Sequence, residues 1–343
     1  MLISLIFSKP VVSELVKPVV SDQPDSLDSL CNAVSLLSTN CMCHKNGKFC
    51  MCENPELKSQ ELDSDQISAM LNEFNQPKLK DLKIVLTEKY NDDLLLHKCV
   101  YKIGDYMKQQ TDINPRMREI TIDWLVEVQN KFKLKFQTLE LTVKIMDRFL
   151  EKRGVLRNKL QLLACSAMLI ASKYEEIFPP EVNDFVSISD KAFTREQLCA
   201  MEQIIVKELQ FKMVTSITSQ FADFYIEFFI ELYPQLKDLH KRFKNIVYYL
   251  IKLTLQDYSF VQVDTKILAA SAVYIVLNNL ECFTPETNNI WNSEIETFCG
   301  LKFNDIKLCI DKLLQYVNDP KSFNYTKYRA VRKENRNMPV LFK

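Results

Sequence analysis

Four cysteines and a histidine lie close together near the start of this chain and are its clearest candidates for chemistry. The segment reads CMCHKNGKFCMC over 41–52, and its potential metal ligands are Cys41, Cys43, His44, Cys50 and Cys52. Zn²⁺ accepts four nitrogen or sulfur ligands, and a turn at Asn46-Gly47 would bring the two cysteine pairs together. Zinc fingers more often use CxxC than the CxC spacing found here. The simpler interpretation is a reduced, metal-free stretch with no cofactor, and the alternative is a structural zinc ion held by Cys41, Cys43, Cys50 and Cys52.

Catalytic activity has little support in the sequence. The three histidines, His44, His97 and His240, are far apart, and no HExxH, GxxxxGK or GxGxxG motif occurs. With four glycines, the backbone has few positions at which it could approach a phosphate closely. A kinase would need a glycine-rich loop with HRD and DFG sequences, and none is present. We therefore predict a non-catalytic protein.

Composition limits the partners and the location of the chain. The 44 basic residues balance 44 acidic ones, so we expect no direct nucleic-acid partner. The apolar opening MLISLIF is soon followed by Lys9 and Pro10, and no later run reaches about 18 apolar residues. Most of the cysteines beyond the 41–52 segment lie in apolar runs and are predicted to be buried thiols. These features predict a soluble intracellular protein without membrane contact, and they leave both nucleus and cytoplasm open as its location.

Helices are the elements expected to position the functional groups. The stretch 117–148 predicts two amphipathic helices, because apolar residues recur at helical spacing in each. The apolar stripe of the first comprises Met117, Ile120, Trp124, Leu125 and Val128. Residues 160–171 are apolar nearly all round, which is typical of a buried bundle axis. A further helix is predicted over 92–110.

An internal repeat indicates two helical bundles. LLACSAMLI at 162–170 returns as ILAASAVYI at 267–275, displaced by 105 residues, with five of nine positions identical. We predict an all-α chain of two consecutive bundles. The expected divisions are a largely disordered N-terminal arm at 1–90, a helix with the first bundle at 91–212, the second bundle at 213–318 and a basic C-terminal tail at 319–343.

The repeat also separates structural from functional positions. Adding 105 carries Lys173 onto Asn278 and Glu202 onto Lys307. A basic–acidic pair of the first bundle therefore has no counterpart in the second. Because positions shared by both repeats are expected to be structural, this difference predicts a specialised site on the first bundle.

Several segments resemble the cyclin family. MREITIDWL at 117–125 resembles the MRxxLxDWL signature that begins the cyclin box of A- and B-type cyclins. The match continues in MDRFL at 146–150, LQL at 160–162, ASKYEEIFPPEVNDF at 171–185 and ME at 201–202. The sequence is similar to mitotic cyclins and most like the B type, although TSQF at 218–221 resembles the A type. The resemblance implies two consecutive five-helix cyclin boxes preceded by an N-terminal helix.

The resemblance also implies a function. A cyclin of this class is a regulatory subunit that binds and activates a cyclin-dependent protein kinase, helps to select its substrates and controls cell-cycle progression at G2/M and mitosis. The implied kinase-binding residues are Lys173, Glu202, Tyr174, Ile177 and Phe178. Arg118 and Asp147 match the family's internal ion pair, which is expected to hold the first helix against the second.

A second implied surface is a groove for RxL-type peptides of substrates or inhibitors. Its residues would be Met117, Ile120, Thr121, Trp124, Glu127, Leu160 and Gln161. Thr121 stands where the family usually has leucine, and Glu119 stands where a small residue is usual. We therefore expect a weaker or altered docking preference. The competing interpretation is that Met117, Ile120 and Trp124 are core side chains.

The basic tail contains a short signal-like sequence. Lys333, Glu334 and Asn335, with Pro339 downstream, resemble the KEN box by which mitotic regulators are recognised by the ubiquitin-ligase machinery. An ordinary solvated tail is an equally open interpretation. The usual cyclin destruction box needs an arginine ahead of the boxes, and no arginine occurs before Arg116.

The alternative function is a role in transcription. Paired cyclin boxes also occur in general factors resembling transcription factor IIB and in subunits of transcriptional kinases. Such a general factor should carry a strongly basic surface and a CxxC-type metal ribbon. The balanced charge and the CxC spacing argue against it.

Overall fold

A computed structural model describes residues 101–213, 215–280, 290–318 and 330–331. Ten α-helices are bounded within these residues, which contain no strand. The first bundle comprises α1 Pro115–Phe132, α2 Phe136–Lys152, α3 Leu160–Glu175, α4 Val182–Ile188 and α5 Arg195–Glu208. The second bundle comprises α6 Thr218–Leu232, α7 His240–Gln256, α8 Thr265–Asn278, α9 Ser293–Cys299 and α10 Phe303–Asn318. The predicted all-α architecture of two five-helix units is confirmed.

Each bundle is built around its third helix. Helix α3 packs mainly against the second and fifth helices of its bundle, α2 and α5, whereas α8 packs mainly against the first and fifth helices of its own, α6 and α10. Nearly every residue from Leu160 to Ser172 is buried, as the apolar pattern predicted. The alanines and serines of these helices have small side chains, which let neighbouring helices approach closely.

The repeat in the sequence corresponds to a repeated contact in the structure, made by one serine in each bundle. Ser166 and Ser271 are 105 residues apart in the sequence, and each hydroxyl donates to the carbonyl four residues earlier in its own helix, at 2.9 and 2.8 Å. Each also reaches a carbonyl of the fifth helix of its bundle, that of Leu198 at 3.4 Å and that of Ile306 at 3.3 Å. The shared serine therefore ties the third helix to the fifth in both bundles.

The prediction of a helix over 92–110 is wrong for its described part. Residues 101–105 have no regular structure, and Tyr106–Gln109 forms a single 3₁₀ turn. Here the polar groups bind to α2 instead. The backbone N–H of Gly104 donates to Glu151 Oε1 at 2.6 Å, and the Tyr106 hydroxyl donates to Asp147 Oδ1 at 2.6 Å. The remainder of the predicted helix lies outside the described residues.

A buried carboxylate on α2 contacts the start of the second bundle. Glu140 Oε1 accepts from the backbone N–H of Thr218 at 3.1 Å, and Oε2 accepts from that of Ser219 at 3.1 Å. The first amides of a helix have no partner within the helix, so an acceptor from another element satisfies them. Glu140 thus joins the first bundle to the N-terminus of α6. Across the described ranges, no helix is both long and apolar enough to span a membrane.

Candidate functional site

The Lys–Glu pair that the repeat singles out is formed on the surface of the first bundle. Lys173 lies in the last turn of α3 and Glu202 lies in α5. Lys173 Nζ donates to Glu202 Oε1 at 2.6 Å, with the two side chains 48% and 20% exposed. An ion pair this exposed adds little to stability, since water competes for both charges. Its consequence is to hold a donor and an acceptor side by side at the surface.

Three large apolar side chains follow Lys173 directly and face solvent. Tyr174 is 54% exposed, Ile177 81% and Phe178 90%. Exposing such large apolar groups to water is unfavourable. A cluster of them beside charged side chains is therefore typical of a surface that another protein covers. Four of the five predicted kinase-binding residues thus lie within a six-residue stretch, 173–178, and Glu202 joins them through its contact with Lys173.

Glu176 holds this segment in place, and sequence reasoning missed it. Its Oε1 accepts from the backbone N–H of Lys135 at 2.7 Å and from the Thr138 hydroxyl at 2.5 Å, both at the start of α2. Lys135 Nζ in turn donates to the carbonyl of Glu175 at 2.7 Å. The signal in the sequence was the absence of a good cap: α2 begins after a lysine, whose side chain cannot accept from the first amides. An acceptor had to come from another part of the chain.

The repeat alignment needs a correction at the fifth helix. The offset between bundles is 105 at α3 and α8, but 108 at α5 and α10, since Ile306 takes the place of Leu198. Glu202 therefore corresponds to Ile310, which is 6% exposed, and not to Lys307. Three additional residues between the third and fifth helices of the second bundle account for the change. The Lys–Glu pair still has no charged counterpart in the second bundle.

The residues of the predicted peptide groove lie along α1 and at the start of α3. Ile120 is 60% exposed, so the interpretation of it as a core side chain is wrong. Glu127 is also exposed, while Met117, Thr121, Trp124 and Gln161 are partly buried and Leu160 is buried. The Thr121 hydroxyl donates to the carbonyl of Met117 at 2.8 Å, within its own helix. Peptide binding by this face stays a prediction.

Arg118 and Asp147 form a buried, two-pronged ion pair between α1 and α2. Arg118 Nε donates to Asp147 Oδ1 at 2.8 Å and Nη2 donates to Oδ2 at 2.7 Å. The Tyr106 hydroxyl adds a third donor, and burial together with the negative charge of Asp147 raises the pKa of Tyr106 well above its usual value. Arg118 Nη1 also donates to the carbonyls of Leu255 and Gln256 at the end of α7, at 3.0 and 3.2 Å. The pair therefore joins three helices from two bundles.

Two predicted sites fall outside the described residues. They are the zinc ligands Cys41, Cys43, Cys50 and Cys52 and the KEN-like sequence Lys333, Glu334 and Asn335. Among the residues that the structure does describe, no group of three or more His, Cys, Asp or Glu side chains could hold a metal ion.

Comparison with known proteins agrees with this geometry. Residues 96–214 match the family "Cyclin, N-terminal domain", and residues 218–339 match "Cyclin, C-terminal domain". The chain is 37% identical over 212 residues to the G2/mitotic-specific cyclin S13-7 of Glycine max, covering 62% of this chain and 77% of that protein. It is 40% identical over 211 residues to Cyclin-B2-2 of Arabidopsis thaliana, covering 62% of this chain and 46% of that protein. The chain thus spans about half the length of several relatives that it matches.

The fold is also similar to that of a solved structure. A viral cyclin from herpesvirus saimiri superimposes with a TM-score of 0.52 at 20% identity, covering 67% of this chain and 96% of that chain. At this identity the similarity shows a shared fold.

Proposed function

The chain belongs to the cyclin family, and from this premise we propose that it is the regulatory subunit of a cyclin-dependent protein kinase that acts at G2/M and in mitosis. Relatives named B-type or G2/mitotic-specific cyclins support this assignment, and they favour it over a transcription-related role. The observation that carries the proposal is the Lys173–Glu202 pair beside three exposed apolar side chains.

The proposed mechanism is differential binding by this surface. Lys173 donates to backbone carbonyls of the kinase's mobile C-helix, and Glu202 accepts from its amides. Tyr174, Ile177 and Phe178 supply apolar contact area around these anchors. By binding the active arrangement of that helix better than the inactive one, the chain raises the population of active kinase. Because the two anchors already hold each other in place, little side-chain freedom is lost on binding.

Two further partners belong to the proposal. The first is an RxL-type peptide, and its proposed contacts are Ile120 and Glu127 on α1, both of which are exposed. The leucine of the peptide would pack on Ile120, and its arginine would lie near the carboxylate of Glu127. The KEN-like sequence Lys333–Asn335 is proposed as a signal for the ubiquitin-ligase machinery. The family assignment favours a protein found in both nucleus and cytoplasm.

A structural zinc ion at Cys41, Cys43, Cys50 and Cys52 is a separate, independent hypothesis, and the metal-free form remains the simpler expectation. Metal analysis of protein purified without added zinc decides between them. About one zinc ion per chain, lost in a variant with serine at all four positions, would support the site. A metal-free wild type would remove it.

Capture of a kinase from cell extract tests the main proposal. Wild-type protein is expected to retain a cyclin-dependent kinase that phosphorylates a Ser-Pro peptide. The double variant Lys173→Ala/Glu202→Ala is expected to lose about 2–5 kcal/mol of binding free energy, which abolishes capture. The matched control is Lys307→Ala/Asp311→Ala, which removes two exposed charges from α10 of the second bundle. Folded wild-type protein that captures no kinase, or a control that fails as badly as the double variant, would contradict the proposal.

A further inference from the structure

Two arginines are buried among the described residues, and they differ in what they bind. Arg118 is 1% exposed, and its guanidinium donates to both oxygens of Asp147 and to two main-chain carbonyls. Arg148 on α2 is 5% exposed, yet its Nε and Nη1 have no hydrogen-bond partner in the part of the chain that the structure describes. A polar group that is shielded from water and left unpaired is unfavourable, so the free donors of Arg148 require a physical reason.

A tyrosine covers this unpaired guanidinium. Arg148 Cζ lies 4.7 Å from the centroid of the Tyr101 ring, and the attraction between a cation and a ring face supplies no hydrogen-bond acceptor. Tyr101 is itself 38% exposed, and its hydroxyl donates to Glu151 Oε2 at 2.8 Å. Glu151 Oε1 accepts from the backbone N–H of Gly104 at 2.6 Å. The carboxylate of Glu151, three residues after Arg148 on α2, therefore holds the covering segment in place.

We propose that Arg148 is a binding site for a phosphate group and that the ring of Tyr101 is a movable cover over it. A guanidinium is planar, stays charged and offers paired donors that match two phosphate oxygens. The chain has a carboxylate nearby in Glu151 but uses it on the cover, which leaves the guanidinium for an acceptor from outside. A phosphate carries up to two negative charges, so its attraction to Arg148 outweighs repulsion by the single charge of Glu151.

The cover is fastened weakly enough to open. One exposed hydrogen bond, from the hydroxyl to Glu151, ties the ring of Tyr101 to α2. Lys102, the next residue along the chain, is exposed and adds positive charge beside the cover. An incoming phosphate exchanges the contact of the ring for hydrogen bonds between two charged groups, which are the stronger kind. The free phosphate ion and a phosphorylated side chain of a partner share this chemistry.

Unfolding in urea separates a ligand-binding arginine from a structural one. Arg148→Met replaces an unpaired buried charge with an apolar side chain, so in phosphate-free buffer we expect a midpoint at or above that of wild type. Arg118→Met is the matched control, because the same replacement there leaves buried partners unpaired and should lower the midpoint. If Arg148→Met lowers the midpoint as much as Arg118→Met does, Arg148 is a structural residue and the proposal is overturned.

Calorimetric titration with inorganic phosphate at constant ionic strength measures the site itself. We expect wild type to bind one phosphate per chain and Arg148→Met to bind at least about tenfold more weakly. Tyr101→Phe removes only the hydroxyl that fastens the cover and should bind several-fold more tightly than wild type. Equal binding by wild type and Arg148→Met, the result for an adventitious ion only, would overturn the site. Weaker binding by Tyr101→Phe would overturn the role of the cover.

The same titration with O-phospho-L-serine identifies the source of the phosphate. Tighter binding than that of inorganic phosphate assigns the site to a phosphorylated side chain, and weaker binding assigns it to the free ion. Kinase capture is a separate measurement, because Arg148 is not one of the five residues proposed to bind the kinase. We expect Arg148→Met to capture the kinase as wild type does. Failure of phosphate binding therefore leaves the proposed function standing, and failure of wild-type capture leaves the phosphate site standing.

Discussion

Nη1 of Arg118 lies 3.2 Å from the main-chain oxygen of Gln256, and this contact extends the buried ion pair of the first bundle into the second. The last carbonyls of a helix have no partner within it, and here an arginine from α1 supplies donors to the end of α7. The other side of the same guanidinium binds both oxygens of Asp147. Arg118 is 1% exposed, so each of these contacts is shielded from water.

Replacement of Arg118 should destabilise the whole chain. Arg118→Ala leaves Asp147 buried without its main partner, which we expect to cost about 3–5 kcal/mol. Arg118→Lys should recover only part of this loss, because one ammonium cannot bind the carboxylate with two donors and also reach α7. Urea unfolding followed by circular dichroism measures both. The control is Arg157→Ala, which breaks an ion pair with Asp112 whose arginine is 67% exposed; it should cost far less, because water competes for both charges. Similar losses for Ala at both arginines would contradict the assignment.

Glu176→Ala should weaken kinase capture although Glu176 is not proposed to touch the kinase. The change removes the acceptor that fixes the segment carrying Ile177 and Phe178 to the start of α2. We expect affinity to fall about tenfold, while stability falls by about 1 kcal/mol, as for loss of a helix cap. Glu175→Ala is the matched control, because the contact of Glu175 with Lys135 uses the main-chain carbonyl and survives. The assignment fails if the two variants bind the kinase equally well.

The stability of the chain should depend on pH through Glu140. Burial raises the pKa of Glu140 to about 7 from its usual 4.5, against the opposing effect of the bonds from Ser219 and Thr218 and of the charge on Lys144. The other facing titratable group is Tyr248, whose phenol stays protonated because its own pKa is raised. Since the folded-state pKa of Glu140 is raised, its stabilisation is fully present below pH 4.5 and is lost as pH rises through about 7.

Glu140→Gln tests this dependence. Between pH 4.5 and about 7, linkage predicts that wild type loses up to about 3 kcal/mol relative to the glutamine variant. The measurement is the free energy of unfolding in urea at several pH values for both proteins, because other titrating groups cancel in the difference. Parallel curves would show that Glu140 titrates normally.

Ser166→Ala and Ser271→Ala should behave alike. Each removes one buried hydroxyl that binds its own helix and approaches the fifth helix of its bundle. We expect each to lower the free energy of unfolding by about 0.5–1.5 kcal/mol and to leave kinase capture unchanged. Thermal unfolding and the capture assay read the two effects separately. Loss of capture in Ser166→Ala alone, with stability intact, would show that this shared position is functional rather than structural.

The helices and the repeat could be predicted because their signals are local. The spacing of apolar residues reports which side of a helix is buried. The third helix of each bundle is instead apolar nearly all round, which marks it as buried on every side. The same reasoning failed for Ile120, which lies in the apolar stripe of α1 yet is exposed, since periodicity marks a face without saying what covers it. It failed also for residues 101–110, where contacts with α2 outweighed helix propensity.

The sequence by itself determined the fold class, the two bundles and the Lys173–Glu202 pair as the difference between them. Only the tertiary structure decided that Glu176 caps α2, that Arg118 reaches the end of α7 and that Ala330 binds Asp123. Each of these contacts joins residues distant in the chain, and a hydrogen bond forms only where two groups come within about 3 Å in the correct direction. Local patterns set which helices form, whereas the packing of those helices sets which polar groups meet.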